Sequence, residues 1–203
     1  MSSPSPLRPP VRRRGRPPDP TLGPRLLDAA QHLLAEEGLP ALNPDRLARR
    51  AGAGKAAIYR RWPDVHDLAV EAVHAAELVR PVAPGASLQT QLDQLAGWWS
   101  APLTLPERAA AALLGADRQH ASLRAAFARV VDRPVADQAR ALLAGGGSVD
   151  PARAELVGRV LRAQLVQRLV SGPVPAEEAT RLAQEVVGRL LSGRGTAPVV
   201  SPA

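Results

Sequence analysis

Between residues 25 and 80 the apolar positions recur at helical spacing, and the interruptions divide them into four short runs. Leu26, Leu27, Ala30, Leu33 and Leu34 fall on one face of a helix that begins near Arg25 and ends at Gly38 and Pro40. Asn43 suits an N-cap, and Pro44 behind it takes the first helical position, where its missing N–H costs nothing. A second helix therefore runs to about Ala51, with Leu47 and Ala48 inward. Gly52 and Gly54 flank Ala53 and impose a sharp turn. A third helix starts near Lys55 and must stop near Trp62, ahead of Pro63. Asp64 caps a fourth, with Asp67 in its first turn and Leu68, Ala69, Ala72, Val73 and Ala76 on its inner face, ending before Pro81.

After a Pro/Gly break at residues 81–86 the helical period resumes. Leu88, Leu92, Leu95 and Trp99 form a stripe, and the sequence TLPE at 104–107 predicts a capping box that opens a helix through Leu114. Leu123, Phe127, Val130 and Val131 line another helix, bent or broken at Pro134. The stretch GGGSVDP at 145–151 predicts a loop with Asp150 as the next cap, followed by a strongly apolar run from Leu156 to Leu169. A last helix, roughly Ala176 to Ser192, carries Leu182, Val186 and Leu190 on one edge and Ala183, Val187 and Leu191 beside it. Period-two alternation is missing throughout, so the fold class is all-α. The expected organisation is a basic arm (1–20), a three-helix helix-turn-helix domain with its following helix (21–80), a helical bundle (86–192) and a tail (193–203).

Composition sharpens this picture in one place. The chain is rich in Ala, Arg, Gly, Pro and Leu, as a coding sequence rich in G and C would be, and its only Asn, Lys, Ile and Tyr are Asn43, Lys55, Ile58 and Tyr59. Their alternation with basic residues at helical spacing argues against chance. Charge is concentrated in the same region: residues 1–62 hold 12 basic and 5 acidic side chains, whereas the remainder holds 14 of each. A field confined to one small segment is the footprint of a polyanion-binding module, because each Lys or Arg near a phosphate releases condensed counterions. Cysteine is absent, which excludes disulfides and thiolate metal sites. No run reaches the roughly 18 apolar residues of a membrane span, and the basic start carries no apolar signal block, so a cytoplasmic protein without membrane association is expected.

Two short helices joined by a glycine-containing turn, behind a supporting helix, make a helix-turn-helix unit. In its third helix Ile58 and Trp62 are four apart and face a small core on Leu27, Leu34 and Leu68, so Lys55, Ala56, Tyr59 and Arg60 point the other way, toward a major groove. Lys55 offers a point charge to a phosphate, and Tyr59 a phenol for phosphate or a ring for sugar and thymine methyl. Arg60 and Arg61 can fork onto guanine edges or the backbone. Small Ala56 and Ala57 allow close approach, and the amides after Gly54 favour an anionic oxygen. In the arm, Arg14-Gly15-Arg16-Pro17 resembles the core of AT-hook peptides, in which Arg14 and Arg16 would reach the floor of a minor groove. A plain electrostatic tether is the alternative.

From about Arg25 to Val73 the chain resembles the DNA-binding domain of the TetR family of bacterial transcriptional regulators. The resemblance is carried by LLDAAQHLLAEEG and by LARRAGAGKAAIYRRWPDVHDLAVEAV, and it covers about a quarter of the chain. It implies base or phosphate contacts from Lys55, Ala56, Tyr59, Arg60 and Arg61, with supporting phosphate contacts from Asn43 and Arg46. The sequence departs from the family where Gly54 replaces a frequent Ser, and Ala57 and Asn43 each a frequent Thr, which places more of the affinity on arginines and the arm. The resemblance also implies that residues 86–192 hold a pocket for a small-molecule effector, expected near Trp98, Trp99, Phe127 and Gln164, and a homodimer interface on the last two helices.

Chemistry beyond binding finds no support in the sequence. His66 and His74 lie two turns apart on one helix, about 12 Å, too far for one metal. His32 and His120 stand alone, and no nucleophile elbow, phosphate loop or paired-carboxylate motif is present. Neither an enzyme nor a cofactor is expected. The leading expectation is a dimeric repressor of an inverted-repeat, palindromic operator in double-stranded DNA. The rivals are a nucleoid-type architectural protein without sequence preference and a helical enzyme or ligand carrier.

Overall fold

The computed structural model describes residues 19–83, 85–144 and 149–192. The expected arm with Arg14 and Arg16, residues 145–148 of the glycine loop and the tail from 193 lie outside the described residues. Helices follow one another throughout: α1 Leu22–Glu37, α2 Pro44–Ala51, α3 Lys55–Tyr59, α4 Val65–His74, α5 Leu88–Ser100, α6 Leu105–Ala111, α7 Ala121–Phe127, α8 Arg133–Ala144, α9 Pro151–Ser171, α10 Ala176–Arg181 and α11 Arg189–Ser192. No strand occurs among the described residues, and no helix is long and apolar enough to cross a membrane.

The caps sit where side-chain chemistry places them. Asn43 accepts from the Arg46 backbone N–H at 3.0 Å, Asp64 from that of His66 at 2.9 Å and Asp150 from that of Ala152 at 3.0 Å. Both halves of the Thr104/Glu107 capping box are formed. Several ends differ from the sequence expectation. α3 keeps regular helical bonding only to Tyr59; Arg61 and Trp62 then both donate to the Ile58 carbonyl at 2.9 Å, a tightened turn that brings the chain to Pro63. α6 ends at Ala111 and not Leu114, with Leu113 still fully buried. Pro134 does not break its helix, because a π turn over Ala128–Asp132 joins α7 to α8 and shifts the bonding register just ahead of the residue that lacks an N–H. A second π turn, Leu182–Gly188, joins α10 to α11.

Two apolar clusters organise the molecule. One gathers Leu26, Leu34, Leu47, Ile58, Trp62, Leu68 and Val73 from α1 to α4, and extends into Ala109, Leu113, Leu123 and Ala126. The other gathers the second half of the chain around Trp99, Leu95, Val157, Leu161 and Leu165. Leu26, and not the expected Leu27, is the fully buried member of its pair; Leu27 packs at the rim. Leu88 likewise leaves its predicted stripe and is exposed, while Leu92, Leu95 and Trp99 are buried. The first cluster is not self-contained: α6 lies against α1 and α4 on one side and against α9 on the other, so it bridges the two halves.

Candidate nucleic-acid interface

A five-residue helix cannot persist on its own, since nucleation fixes more dihedrals than its bonds repay. Its neighbours hold α3. Ile58 (2% exposed) and Trp62 (6%) are sunk in the N-terminal cluster, and the Trp62 indole N–H donates to Glu71 Oε2 at 2.8 Å, tying the end of α3 to α4. With those two inward, the opposite face is committed to solvent. Lys55, Ala56, Tyr59 and Arg60 are exposed there, Tyr59 by 52%, and Ala57 is half-buried at the edge.

The turn feeding α3 depends on one glycine more than on the other. Gly52 adopts φ +59° and ψ 41°, the left-handed region that an L side chain enters only with strain, and its N–H closes α2 on Ala48 and Arg49. The Arg25 guanidinium donates to the carbonyls of Ala51 and Gly52, fastening α1 to the same turn. Gly54 is extended, φ −84° and ψ 141°, with open space where a Cβ would stand, and it caps α3 without a side-chain bond.

Charges around the unit are partly paired. Arg50 forks onto Glu36 with both bonds at 2.8 Å, and Arg46 forks onto Glu37, so α2 is braced against the end of α1. The hydrogen bonds from Arg50 and Arg46 hold the Glu36 and Glu37 carboxyls below their usual range. Lys55 ion-pairs with Asp45, and that bond raises the Lys55 ammonium above its ordinary value, keeping it charged. All these pairs are solvent-exposed and screened, so phosphate oxygens can replace their carboxylates at little cost.

The predicted contact residues divide accordingly. Lys55, Ala56, Tyr59 and Arg60 come together on one face with Gly54 and Ala57 beside them. Asn43 spends its side-chain oxygen on the α2 cap, and Arg46 is turned to Glu37. Arg61 folds back over the start of α1: its Cζ lies 5.7 Å from the Trp62 ring centre and 2.8 Å from where a Cβ on Gly23 would sit, so a side chain there would push the mobile end of Arg61 aside. A cavity of about 810 Å³ opens beside this packing, bounded by Asp19, Arg25, Gly52, Ala57, Arg60 and Arg61. Sequence reasoning passed over Arg25 and Arg49. Arg49 is exposed and makes no ion pair among the described residues, and its only sequence signal is its place three residues after Arg46 on a polar face.

In the second half, Trp99 is fully buried, Trp98 nearly so, and Phe127 packs between the two apolar clusters. Gln164 borders a cavity of about 510 Å³ with Gln167, Gly172, Val174 and Leu182, whereas Trp98 borders another of about 330 Å³ with Arg80, Val82, Gln94 and Leu95. These two expected pocket residues therefore line different cavities. The sequence reading also overlooked a buried ion pair, Arg168 of α9 with Glu107 of α6, which the sequence does not signal because Arg159 and Arg162 share the same run from Leu156 to Leu169. His66 and His120, separate in the sequence, stack at 4.3 Å between α4 and the start of α7.

Comparison with known proteins places this geometry. Residues 26–72 match the family model described as bacterial regulatory proteins, tetR family. Among solved structures, a transcriptional regulator from Rhodococcus sp. Rha1 is similar over 87% of this chain and 99% of its own, at 20% identity and TM-score 0.65. The multidrug binding protein EbrR, complexed with malachite green, is similar over 83% of this chain and 96% of its own, at 24% identity and TM-score 0.60. NalD, the secondary repressor of the MexAB-OprM multidrug efflux pump in Pseudomonas aeruginosa, is similar over 83% and 94%, at 17% identity and TM-score 0.60. No curated protein matches.

Proposed function

We propose, for a chain whose residues 26–72 match the model of the tetR family of bacterial regulatory proteins and whose overall fold is similar to that of a solved transcriptional regulator, that it is a ligand-responsive repressor binding an inverted-repeat operator as a homodimer. The observation that carries this reading is the division of α3: Ile58 and Trp62 are buried while Lys55, Ala56, Tyr59 and Arg60 are presented together on the exposed side. A helix supported in that manner, with small residues between its polar ones, is shaped to lie in a major groove. Arg49, Arg60 and the basic arm supply phosphate contacts without dismantling the Arg46–Glu37 and Arg50–Glu36 braces.

Dimerisation is supported by apolar side chains left in solvent on the last helices. Val170 is 70% exposed, and Leu156, Val166 and Val186 are also exposed, on the elements whose double-width stripes exceed what their own neighbours cover. A self-complementary contact between two copies would cover them and set two α3 helices one helical turn or more apart. Effector binding in the second half would act through α6, which touches both α1 and α9. Sequencing of genomic fragments retained by the purified protein tests the reading: enrichment of a few inverted repeats supports it. Uniform retention of all sequences would instead favour the architectural rival.

A further inference from the structure

The cavity of about 510 Å³ at the end of α9 has a rim short of hydrogen-bond donors. The last carbonyls of the helix lose their helical partners there, as at any helix end, and leave a partial negative charge. The four residues that follow offer no free amide in return. Gly172 N–H is taken by the Arg168 carbonyl and Val174 N–H by that of Trp99, at 2.9 and 3.0 Å, while Pro173 and Pro175 have none. α10 then opens with Glu177 and Glu178 in its first turn, more negative charge than the roughly half unit of positive charge at a helix start. Glu178 borders the cavity, as do Gln167 and Ser171, which can turn an oxygen into it. No basic residue borders it: Arg181, three residues after Glu178, lies outside. Ala163, Val174 and Leu182 supply the apolar part of the wall.

We infer that this cavity takes an organic cation bearing N–H donors, an amidinium or primary ammonium on an apolar body, whose charge meets Glu178 and whose N–H groups are accepted by Ser171, Gln167 and the end of α9. The inference rests on the effector-binding role proposed above and names the class of effector. One negative side chain, a surplus of acceptors and an apolar wall around one space select such a ligand, and the same features reject an anion, which would find no free donor on the loop and a carboxylate opposite. The site also adjoins the junction of the two halves. The Arg168 carbonyl that accepts from Gly172 at the rim belongs to the residue that holds Glu107 of α6, the helix that bears on α1 and α4.

Calorimetry on the full chain at low salt tests this with three probes of similar size: benzamidine, benzoate and benzyltrimethylammonium, a cation without N–H donors. Benzamidine is expected to bind about tenfold or more tightly than benzoate and several-fold more tightly than benzyltrimethylammonium. Glu178→Gln should weaken benzamidine about fivefold, the upper range for an exposed ion pair. Glu185→Gln, an exposed carboxylate that does not border the cavity, should leave it unchanged. Ser171→Trp, which fills the cavity from an exposed position, should abolish benzamidine binding at parental melting temperature. Equal affinity for benzamidine and benzoate overturns the inference, as does binding of none at millimolar probe, equal losses in the two glutamate variants, or binding that survives Ser171→Trp. Benzyltrimethylammonium binding as tightly as benzamidine overturns the part assigned to N–H donors. The DNA selection described above reads independently: specific DNA binding without a preference for the amidine sinks only this inference. Amidine preference without specific DNA binding sinks the repressor reading and leaves the site.

Discussion

At the scale of the residue, the two glycines of the turn separate what the sequence shows from what only backbone angles show. Both predict a turn, but Gly52 alone sits at positive φ, whereas Gly54 is extended in open space. Gly52→Ala should therefore cost about 1–2 kcal/mol in denaturant unfolding. Gly54→Ser should be neutral or stabilising by a few tenths of a kcal/mol, since it supplies the hydroxyl that the α3 cap lacks. Comparable destabilisation at the two positions would mean that the turn is misassigned. Tyr59 was legible as a candidate because it is the chain's only tyrosine and falls opposite Ile58 and Trp62 on the helix. Arg61 was a candidate through its fork chemistry and the family resemblance, and folds back over Gly23 instead, a path that a long side chain takes and sequence spacing does not fix.

At the scale of the element, α6 shows how little of a helix's role its own sequence reveals. Its capping box was readable from TLPE, and Thr104→Ala should lower stability by about 1 kcal/mol. Its bridging position was not readable, because it depends on Arg168, which lies 61 residues away. Burial pushes the Glu107 carboxyl up, but the Thr104 backbone N–H and hydroxyl together with Arg168 overcome that and hold it below its ordinary value of 4.5. The folded state therefore binds this proton less readily than the unfolded chain does. Its stabilisation is complete above about 4.5 and is lost as pH falls through the lowered folded value. Acid unfolding monitored by circular dichroism should show this limb in the parent chain and a flatter one in Glu107→Gln; identical limbs would remove Glu107 from the effect. The π turn before Pro134 was hidden for a related reason: the sequence announces a missing N–H, and only the packing of α7 and α8 decides between a break and a shifted register.

At the scale of the whole molecule, the fold class and the helix order were legible from periodicity, while the joining of its two halves was not. Leu113 and Leu123 belong to the N-terminal cluster although they follow residue 100, so the first domain is completed by the second. The exposed stripe on α9 was visible as an excess of apolar positions. If the proposed homodimer forms through this stripe, light scattering should find the parent chain dimeric and Val170→Arg monomeric, with operator binding lost at concentrations where the parent chain binds; an unchanged mass would remove α9 from the interface. Deletion of residues 1–16 should reduce the slope of log affinity against log salt by roughly 0.9 for each phosphate that the arm neutralises. An unaltered slope would leave the arm without a role in affinity.

The exposed face of α3 is tested most directly by anisotropy titrations of a selected operator and a scrambled duplex with the parent chain and with the double variant Lys55→Ala, Tyr59→Ala. Because neither side chain is buried, the variant should melt with the parent. The parent should prefer the operator by about a thousandfold or more, and the variant should lose most of that preference while keeping much of its affinity for the scrambled duplex. An intact preference in the variant, at parental stability, would contradict the assignment of this face to sequence recognition.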